Sequence, residues 1–267
     1  MTPETGLWDV LAVRYGSHQR QRADNFIGGD PHDAPMPIDY FVWVLKQGER
    51  VIVVDTGFDA ACAARRGRTI TTPVEEALAA VGVDHAAVAD VVLTHLHYDH
   101  AGNSALFPAA RFHIQDREMA FATGRCMCHP FMRAPFDGGD VETMVRRLFA
   151  GRLAFHDGSE EIAPGVTVHL VGGHSKGLQV VRVETARGPV VLASDASHTY
   201  EHFETGRAFT IVHDVEALFE GYATLRRLAP NDAHIVPGHD PLVMARYPAP
   251  ESRLSGLAVR LDVMPKG

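Results

Sequence analysis

Cysteine and long apolar segments are both scarce in this sequence of 267 residues. The cysteines are Cys62, Cys126 and Cys128, an odd number that offers no disulfide framework and fits a reducing compartment. No window approaches the roughly 18 consecutive apolar residues of a membrane-spanning helix, and no basic N-terminal stretch precedes an apolar run. We therefore expect a cytoplasmic protein without structural disulfides and without a membrane partner.

Positive charge is also in deficit, which limits the partners of the protein. With 25 Lys and Arg against 33 Asp and Glu, the formal net charge is -8, so no broad basic surface is available for nucleic-acid phosphates. Hydrophobic residues make up 46% and charged residues 22% of the sequence, proportions that are typical of globular proteins. We expect a globular fold and no nucleic-acid partner.

Histidine, in contrast, is abundant, with 16 residues, and its side chain is the commonest metal ligand. The segment from His95 to His100 follows a predicted apolar strand and contains His95, His97, Asp99 and His100. In an extended chain His95 and His97 point to the same side, and the turn that follows can bring Asp99 and His100 to a second point beside them. The spacing predicts two neighbouring metal ions.

Further metal ligands are expected where later strands end in small residues. His174, Asp195 and His239 each lie in such a loop. A carboxylate can bridge two cations through its two oxygens. We therefore expect Asp195 to be shared by both metals, and His174 and His239 to complete one metal each.

The order of the predicted elements favours two mixed β-sheets packed together, with helices outside them. Apolar runs and turn residues predict strands at 40–46, 50–54, 88–94, 152–156, 166–171, 178–184, 190–193 and 233–237, and helices at 72–82, 140–149 and 214–228. No linker divides the chain. Residues 1–267 are therefore expected to form one domain, with an irregular insert around 101–150.

The pattern His-x-His-x-Asp-His at 95–100, followed by His174, Asp195 and His239, resembles the metallo-β-lactamase superfamily at all seven positions. The strand end at 53–57, with Asp55, also matches that family, in which the aspartate supports the first histidines. The resemblance covers nearly the whole chain. It implies an α+β fold, a four-layer αββα sandwich of two mixed sheets with helices outside, and a binuclear zinc site at one edge. Iron, manganese or cobalt could replace zinc.

Within the superfamily, size and spacing are most similar to the N-acyl-homoserine-lactonase-like hydrolases. This similarity implies a small lactone substrate, with a hydrophobic or aromatic group, which is opened by a water that two zinc ions acidify. It also suggests a homodimer. By the same resemblance Asp99 passes a proton to the leaving oxygen. Those lactonases carry a tyrosine three residues after the bridging aspartate, where this sequence has His198, with Tyr200 two residues further on. We expect His198 and Tyr200 to be catalytic.

Two other activities would use similar ligands, and both stay open. A glutathione thioesterase of the glyoxalase II type needs basic residues near the site, whereas we interpret the cluster at 65–68 as a solvated surface turn. A mononuclear-iron persulfide dioxygenase is the second alternative. We expect a mostly apolar cavity wall, built from 15–37, 200–209 and an active-site insert that contains Met127, Phe131, Met132 and Phe136.

Overall fold

A computed structural model of the protein describes residues 6–32 and 34–266. Its strands are β1 (Asp9–His18), β2 (Ile38–Gln47), β3 (Arg50–Val54), β4 (Thr69–Ile70), β5 (Asp90–Val92), β6 (Arg111–Gln115), β7 (Leu153–His156), β8 (Ser159–Ala163), β9 (Val166–Leu170), β10 (Gln179–Val183), β11 (Val190–Ser194), β12 (Ile235–Pro237) and β13 (Ala258–Arg260). Its α-helices are α1 (Arg22–Asn25), α2 (Ala60–Arg66), α3 (Val74–Ala80), α4 (Tyr98–Ala101), α5 (Asp116–Ala122), α6 (Pro130–Arg133), α7 (Gly138–Phe149), α8 (Tyr200–Thr205), α9 (Val215–Leu228) and α10 (Leu242–Arg246).

The strands form two mixed sheets. The larger sheet has the order β13-β1-β2-β3-β5-β6-β7, with β4 paired to β1. Its first strands pair antiparallel, whereas β3, β5, β6 and β7 run parallel to one another. The smaller sheet has the order β12-β11-β10-β9-β8 and is antiparallel except between β11 and β12. The predicted pair of mixed sheets is confirmed.

Strand β2 shows how the layers pack, because it is buried on both faces. Successive side chains of a strand point to opposite sides of the sheet. Phe41, Trp43 and Leu45 therefore pack in a core that includes the smaller sheet and α9, while Val42 and Val44 pack in a second core with α3 and α7. The sheets thus lie face to face with helices outside them, as expected for an αββα sandwich.

The ends of parallel strands place the polar residues at one edge of this sandwich. Strands β3 and β5 are parallel neighbours, so Asp55, which follows β3, lies beside Thr94, which follows β5. Strands β11 and β12 are also parallel neighbours, and they lead into Asp195 and His239. Because carboxyl ends of parallel neighbours meet at the same edge, residues far apart in the sequence converge there.

Several predicted elements are confirmed, and some were missed. The β2–β3 hairpin and helices α3, α7 and α9 are present, and Asp214 caps α9 by accepting a hydrogen bond from the amide of Ala217. Strand β6 lies where the sequence predicted an irregular insert, so that expectation is wrong for residues 111–115. Strands β1 and β8 and helix α2 were not predicted either.

Strand β1 carries a bulge next to Gly16, and a glycine inside an apolar run weakens the sequence signal for a strand. A Cβ atom on Gly16 would lie 2.7 Å from the carbonyl oxygen of Thr69, so glycine allows β4 to approach β1 closely. Among the described residues, no helix has the length and apolar character needed to span a bilayer.

Candidate metal centre and substrate cavity

All seven predicted ligands are buried and lie together at the edge of the sandwich. They form two principal groups. His95, His97 and His174 make up the first group, and Asp99, His100 and His239 make up the second. Within each group the possible ligand atoms lie within 4.8 Å of one another.

Asp195 lies between the two groups and presents one oxygen to each. Its Oδ2 is 3.1 Å from Nε2 of His174, and its Oδ1 is 2.9 Å from Nε2 of His239. The same two oxygens lie 3.9 Å from His95 Nε2 and 3.4 Å from His100 Nε2, respectively. This is the arrangement that a carboxylate shared by two cations requires.

The ring nitrogens that face away from the cluster are held by hydrogen bonds. Nδ1 of His174 donates to the carbonyl of Ile211 at 2.7 Å, and Nδ1 of His239 donates to the carbonyl of Asp39 at 2.9 Å. Such partners fix the tautomer and direct the other nitrogen at a metal. In both rings Nε2 is therefore left without a proton and faces the cluster.

Asp55 supports His100 in the same way, with a carboxylate instead of a carbonyl. Nδ1 of His100 lies 2.7 Å from Oδ2 of Asp55, and the amide of Thr94 donates to Oδ1 at 2.7 Å. Asp55 adopts a φ of 61° and Ser194, next to Asp195, a φ of 44°. Strained backbone of this kind concentrates at functional sites.

The donor set fits divalent metal ions. Nε2 of His95, Nε2 of His100 and Oδ1 of Asp195 are buried and have no hydrogen-bond partner among the described residues. Unpaired buried polar atoms are costly, and two cations, one in each group of ligands, would satisfy all three. Burial lowers the pKa of His95 and His97 well below the ordinary value, which keeps these rings in the neutral form that binds metal.

Glu118, which the sequence did not single out, ties the two ligand loops together. It is fully buried and accepts hydrogen bonds from the amide of Leu96 at 2.9 Å, the hydroxyl of Ser175 at 2.7 Å and the amide of Gly177 at 2.9 Å. The loop at 95–100 and the loop that carries His174 are therefore anchored to one carboxylate.

The structure brings His198 to the metal cluster but leaves Tyr200 outside it. Nε2 of His198 lies 3.1 Å from Oδ2 of Asp195, and its ring stacks on Phe209 with centroids 3.8 Å apart. Tyr200 is buried elsewhere, with its ring under the guanidinium of Arg246 at 3.7 Å. It is not part of the cavity wall described next.

A cavity of about 680 Å³ opens over the ligands. Phe131 and Met132 line it as predicted, whereas Met127 and Phe136 do not. Phe136 instead packs edge-on against His97, with ring centroids 4.6 Å apart. The described wall includes residues 210–213 but none of 200–209, so the predicted wall at 200–209 is wrong.

Apolar residues form most of the cavity wall, as expected, but basic residues line one side of it. Arg20, Arg66 and Arg68 all face it, together with His18. The interpretation of 65–68 as a solvated turn is therefore wrong for Arg66 and Arg68. It is right for Arg65, which lies outside the cavity wall and pairs with Asp137 at 2.8 Å.

Comparison with known proteins identifies the family. A family model described as the metallo-beta-lactamase superfamily matches residues 37–258, and the chain belongs to this superfamily. An N-acyl homoserine lactonase from a Bacillus species is 27% identical over 224 residues, which cover 76% of this chain and 82% of that protein. The N-acyl homoserine lactonase AiiB of Agrobacterium fabrum is 26% identical over 221 residues, covering 74% of this chain and 78% of that protein.

Solved structures share the fold. An N-acyl homoserine lactone hydrolase with the product N-hexanoyl-L-homoserine at its catalytic metal centre has a TM-score of 0.72 at 22% identity, covering 89% of this chain and 95% of that chain. The dizinc quorum-quenching lactonase AidC has a TM-score of 0.68 at 18% identity, covering 88% of each chain. The predicted fold, family and class of enzyme, a metal-dependent hydrolase, are confirmed.

Proposed function

We propose that this protein is a dinuclear zinc lactonase, which opens a lactone to a hydroxy acid. The observation that carries the proposal is the position of Asp195, with one oxygen toward each group of ligands. The lactonases among the relatives support the same activity. The predicted single domain, homodimer and cytoplasmic location stay predictions.

His95, His97 and His174 would hold one cation, and Asp99, His100 and His239 the other, with Asp195 shared between them. When bound, two zinc ions, or another divalent metal such as iron, manganese or cobalt, supply Lewis acidity for the carbonyl and acidify the attacking water.

Asp99 is suited to move the proton in this reaction. Its carboxylate lies on the cavity wall, with Oδ2 3.8 Å from Nε2 of His239. The water oxygen attacks the carbonyl carbon, the ring C–O bond breaks, and Asp99 transfers the proton of the water to the oxygen that leaves. The backbone of Asp99 is fixed meanwhile, because the hydroxyl of Tyr15 donates to its carbonyl at 2.9 Å.

His198 takes the place of the tyrosine found in the lactonases. Stacking on Phe209 and contact with Asp195 hold its ring on the cavity wall, where an N–H can orient the substrate carbonyl. We assign no step to Tyr200. A His198→Ala enzyme with full metal content and unchanged kcat and KM would contradict this role.

Metal content and lactone opening test the activity together. We expect about two metal ions per chain, and ring opening of N-hexanoyl-homoserine lactone or an aromatic lactone, followed as acid release at constant pH. Asp195→Asn should lose both metal and activity. Asp232→Asn is the matched control, since Asp232 lies on the surface and pairs with Arg226. Metal-loaded protein that opens no lactone would overturn the proposal.

A thioesterase of the glyoxalase II type is the second candidate, and the arginines on the cavity wall favour it. Glutathione is anionic and needs basic residues near the metals. A glutathione thioester in the same assay distinguishes the two activities. Oxygen uptake on a persulfide by protein with one iron per chain would instead identify the dioxygenase.

A further inference from the structure

The pairing of β1 with β4 brings two distant basic residues together on the cavity wall. The antiparallel register pairs Gly16 with Ile70 and Ser17 with Thr69, so the next pair along the ladder is His18 and Arg68. Nη1 of Arg68 donates to Nε2 of His18 at 3.1 Å. Burial, followed by the nearby Arg68, lowers the pKa of His18 to about 4. His18 is therefore neutral at neutral pH and serves as an acceptor that orients Arg68.

Arg66 and Arg68 are anchored differently. Both terminal nitrogens of Arg66 donate to backbone carbonyls, those of Ala134 at 2.9 Å and Phe136 at 3.0 Å. Arg68 uses Nε and Nη1 for protein contacts, including a 3.0 Å bond to the hydroxyl of Tyr98. Its Nη2 donates to no acceptor among the described residues. Arg66 therefore positions the wall, while Arg68 keeps a donor for a ligand.

Arg20 has still more unused donors. Its Nη2 donates to the carbonyl of Asp24 and lies 3.4 Å from the hydroxyl of Thr210. In the described part of the chain its Nε and Nη1 have no acceptor. A guanidinium presents its donors as a planar fork that matches a carboxylate.

These arginines form no close ion pair within the described cavity wall. Neither Arg20, Arg66 nor Arg68 has a carboxylate within 4.0 Å among residues 6–32 and 34–266, whereas Arg65 and Arg22 form close ion pairs. Asp24 is the one carboxylate on that wall besides Asp99 and Asp195, and it accepts a hydrogen bond from the amide of Gln21 at 2.9 Å.

This basic wall lies close to the metal ligands. The ring of Tyr98, which precedes Asp99, lies under the guanidinium of Arg66 at 4.0 Å. Its hydroxyl is 3.2 Å from that of Tyr40, whose ring is 5.3 Å from the ring of His239. A small molecule could therefore reach the ligands and the arginines at once.

We propose that Arg20 and Arg68 bind a carboxylate group of the substrate, at a distance from the carbonyl that reacts. The substrate class is then a lactone or ester with an anionic group on its acyl part, unlike an N-acyl homoserine lactone with a plain alkyl chain. This inference rests on the proposed hydrolase function of the same site. The apolar residues Phe131 and Met132 would cover the stem that joins the two ends of the substrate.

Three matched substrates test the proposal with the metal-loaded enzyme. N-hexanoyl-homoserine lactone is compared with two analogues whose acyl chains, of equal length, end in a carboxylate or in a carboxamide. We expect the carboxylate compound to have a kcat/KM roughly 10- to 100-fold above both neutral compounds, the range for a charge-assisted hydrogen bond. The advantage should shrink as salt concentration rises.

Substitution of the arginines gives the second part of the test. Arg68→Gln and Arg20→Gln should each remove most of the advantage of the carboxylate substrate through KM, with a much larger effect on that substrate than on the neutral ones. Arg65→Gln removes the same charge three residues earlier in the chain. It should change neither the advantage of the carboxylate substrate nor the activity on the neutral substrates. An enzyme that opens all three lactones equally, with no effect of Arg68→Gln or Arg20→Gln, would overturn the carboxylate site while the lactonase proposal stands.

Calorimetric binding of the ring-opened compounds separates the two proposals further. If the metal-loaded protein opens no lactone, the lactonase proposal fails, and binding still reports on the arginines. Tighter binding of the dicarboxylate product than of its carboxamide analogue, lost in Arg68→Gln, would support the site. Equal binding of both would refute it.

Discussion

Substitution of Asp55 by asparagine is expected to weaken one metal site while the fold is retained. Asparagine tolerates the positive φ of 61° at this position. If its amide oxygen keeps the hydrogen bond from Thr94, its NH2 group must face Nδ1 of His100, which lies 2.7 Å from the carboxylate in the native protein. Two donors would then oppose each other. The opposite orientation of the amide places NH2 against the amide of Thr94.

The ring of His100 can relieve this conflict only by moving or by changing tautomer. A proton on Nε2 would occupy the nitrogen that faces Asp99 and Asp195, so the ring could no longer bind metal. Loss of a supporting partner typically lowers metal affinity about 10- to 100-fold, which corresponds to about 1.4 to 2.7 kcal/mol. We expect this loss at one of two metal ions per chain.

A competition titration with a zinc chelator measures the effect. Asp39→Asn is the matched control, since Asp39 supports His239 through its backbone carbonyl and not through its side chain. Its metal affinity should equal that of the native protein. An Asp55→Asn protein that binds both metal ions with native affinity would show that the carboxylate does not control the tautomer of His100.

Three further outcomes are expected. Glu118→Ala should lower the free energy of unfolding, measured by urea denaturation, by at least about 3 kcal/mol, since three buried donors lose their acceptor at about 1 to 3 kcal/mol each. Glu118→Gln should lower it less, and equal losses in the two variants would contradict this role of Glu118. Gly238→Ala places a Cβ 2.8 Å from Oδ1 of Asp195 and should reduce metal content, whereas Gly138→Ala, with open space around it, should not. Burial lowers the pKa of His202 from 6.5 to about 4, so the unfolded state binds more protons between these values. Stability is therefore lost as the pH falls from 6.5 toward 4, by at most about 3 kcal/mol. His202→Gln should flatten this slope in chelator-treated protein, and an unchanged slope would refute the assignment.

The residues of the candidate metal centre could be predicted from the sequence because their signal is local. His95, His97, Asp99 and His100 lie in one short segment, and His174, Asp195 and His239 each follow an apolar strand. The carboxyl ends of strands that run in the same direction meet at one edge of the sandwich. These residues could therefore be grouped into one site without knowledge of any tertiary contact.

Glu118, in contrast, could not be predicted from its local sequence. It lies in the first turn of α5, where acidic residues are common on exposed surfaces because they favour the helix dipole. Its three hydrogen bonds come from Leu96, Ser175 and Gly177, in loops far away in the sequence. Nothing in the local pattern distinguishes it from a solvated glutamate.

Strand β6 was missed although it is short and regular. His113 and Gln115 alternate with apolar residues, a pattern typical of a strand with one face in water. Both are buried instead. His113 lies 3.0 Å from Asp90, and Gln115 donates to Gln179 at 2.9 Å. Internal hydrogen bonds therefore allow polar side chains on a strand that is covered on both sides.

The basic residues at 65–68 depend most strongly on tertiary pairing. Helix α2 ends at Arg66, and Gly67, with a φ of 63°, turns the chain toward β4. Arg65 is left on the outside, Arg66 is held by two backbone carbonyls, and Arg68 is placed against His18 by the register with β1. Charge pattern alone assigns all three to one surface. Because the β1–β4 register sets this wall and the later strand ends set the candidate metal ligands, we expect a change in Arg68 to affect the choice of substrate more than the metal content.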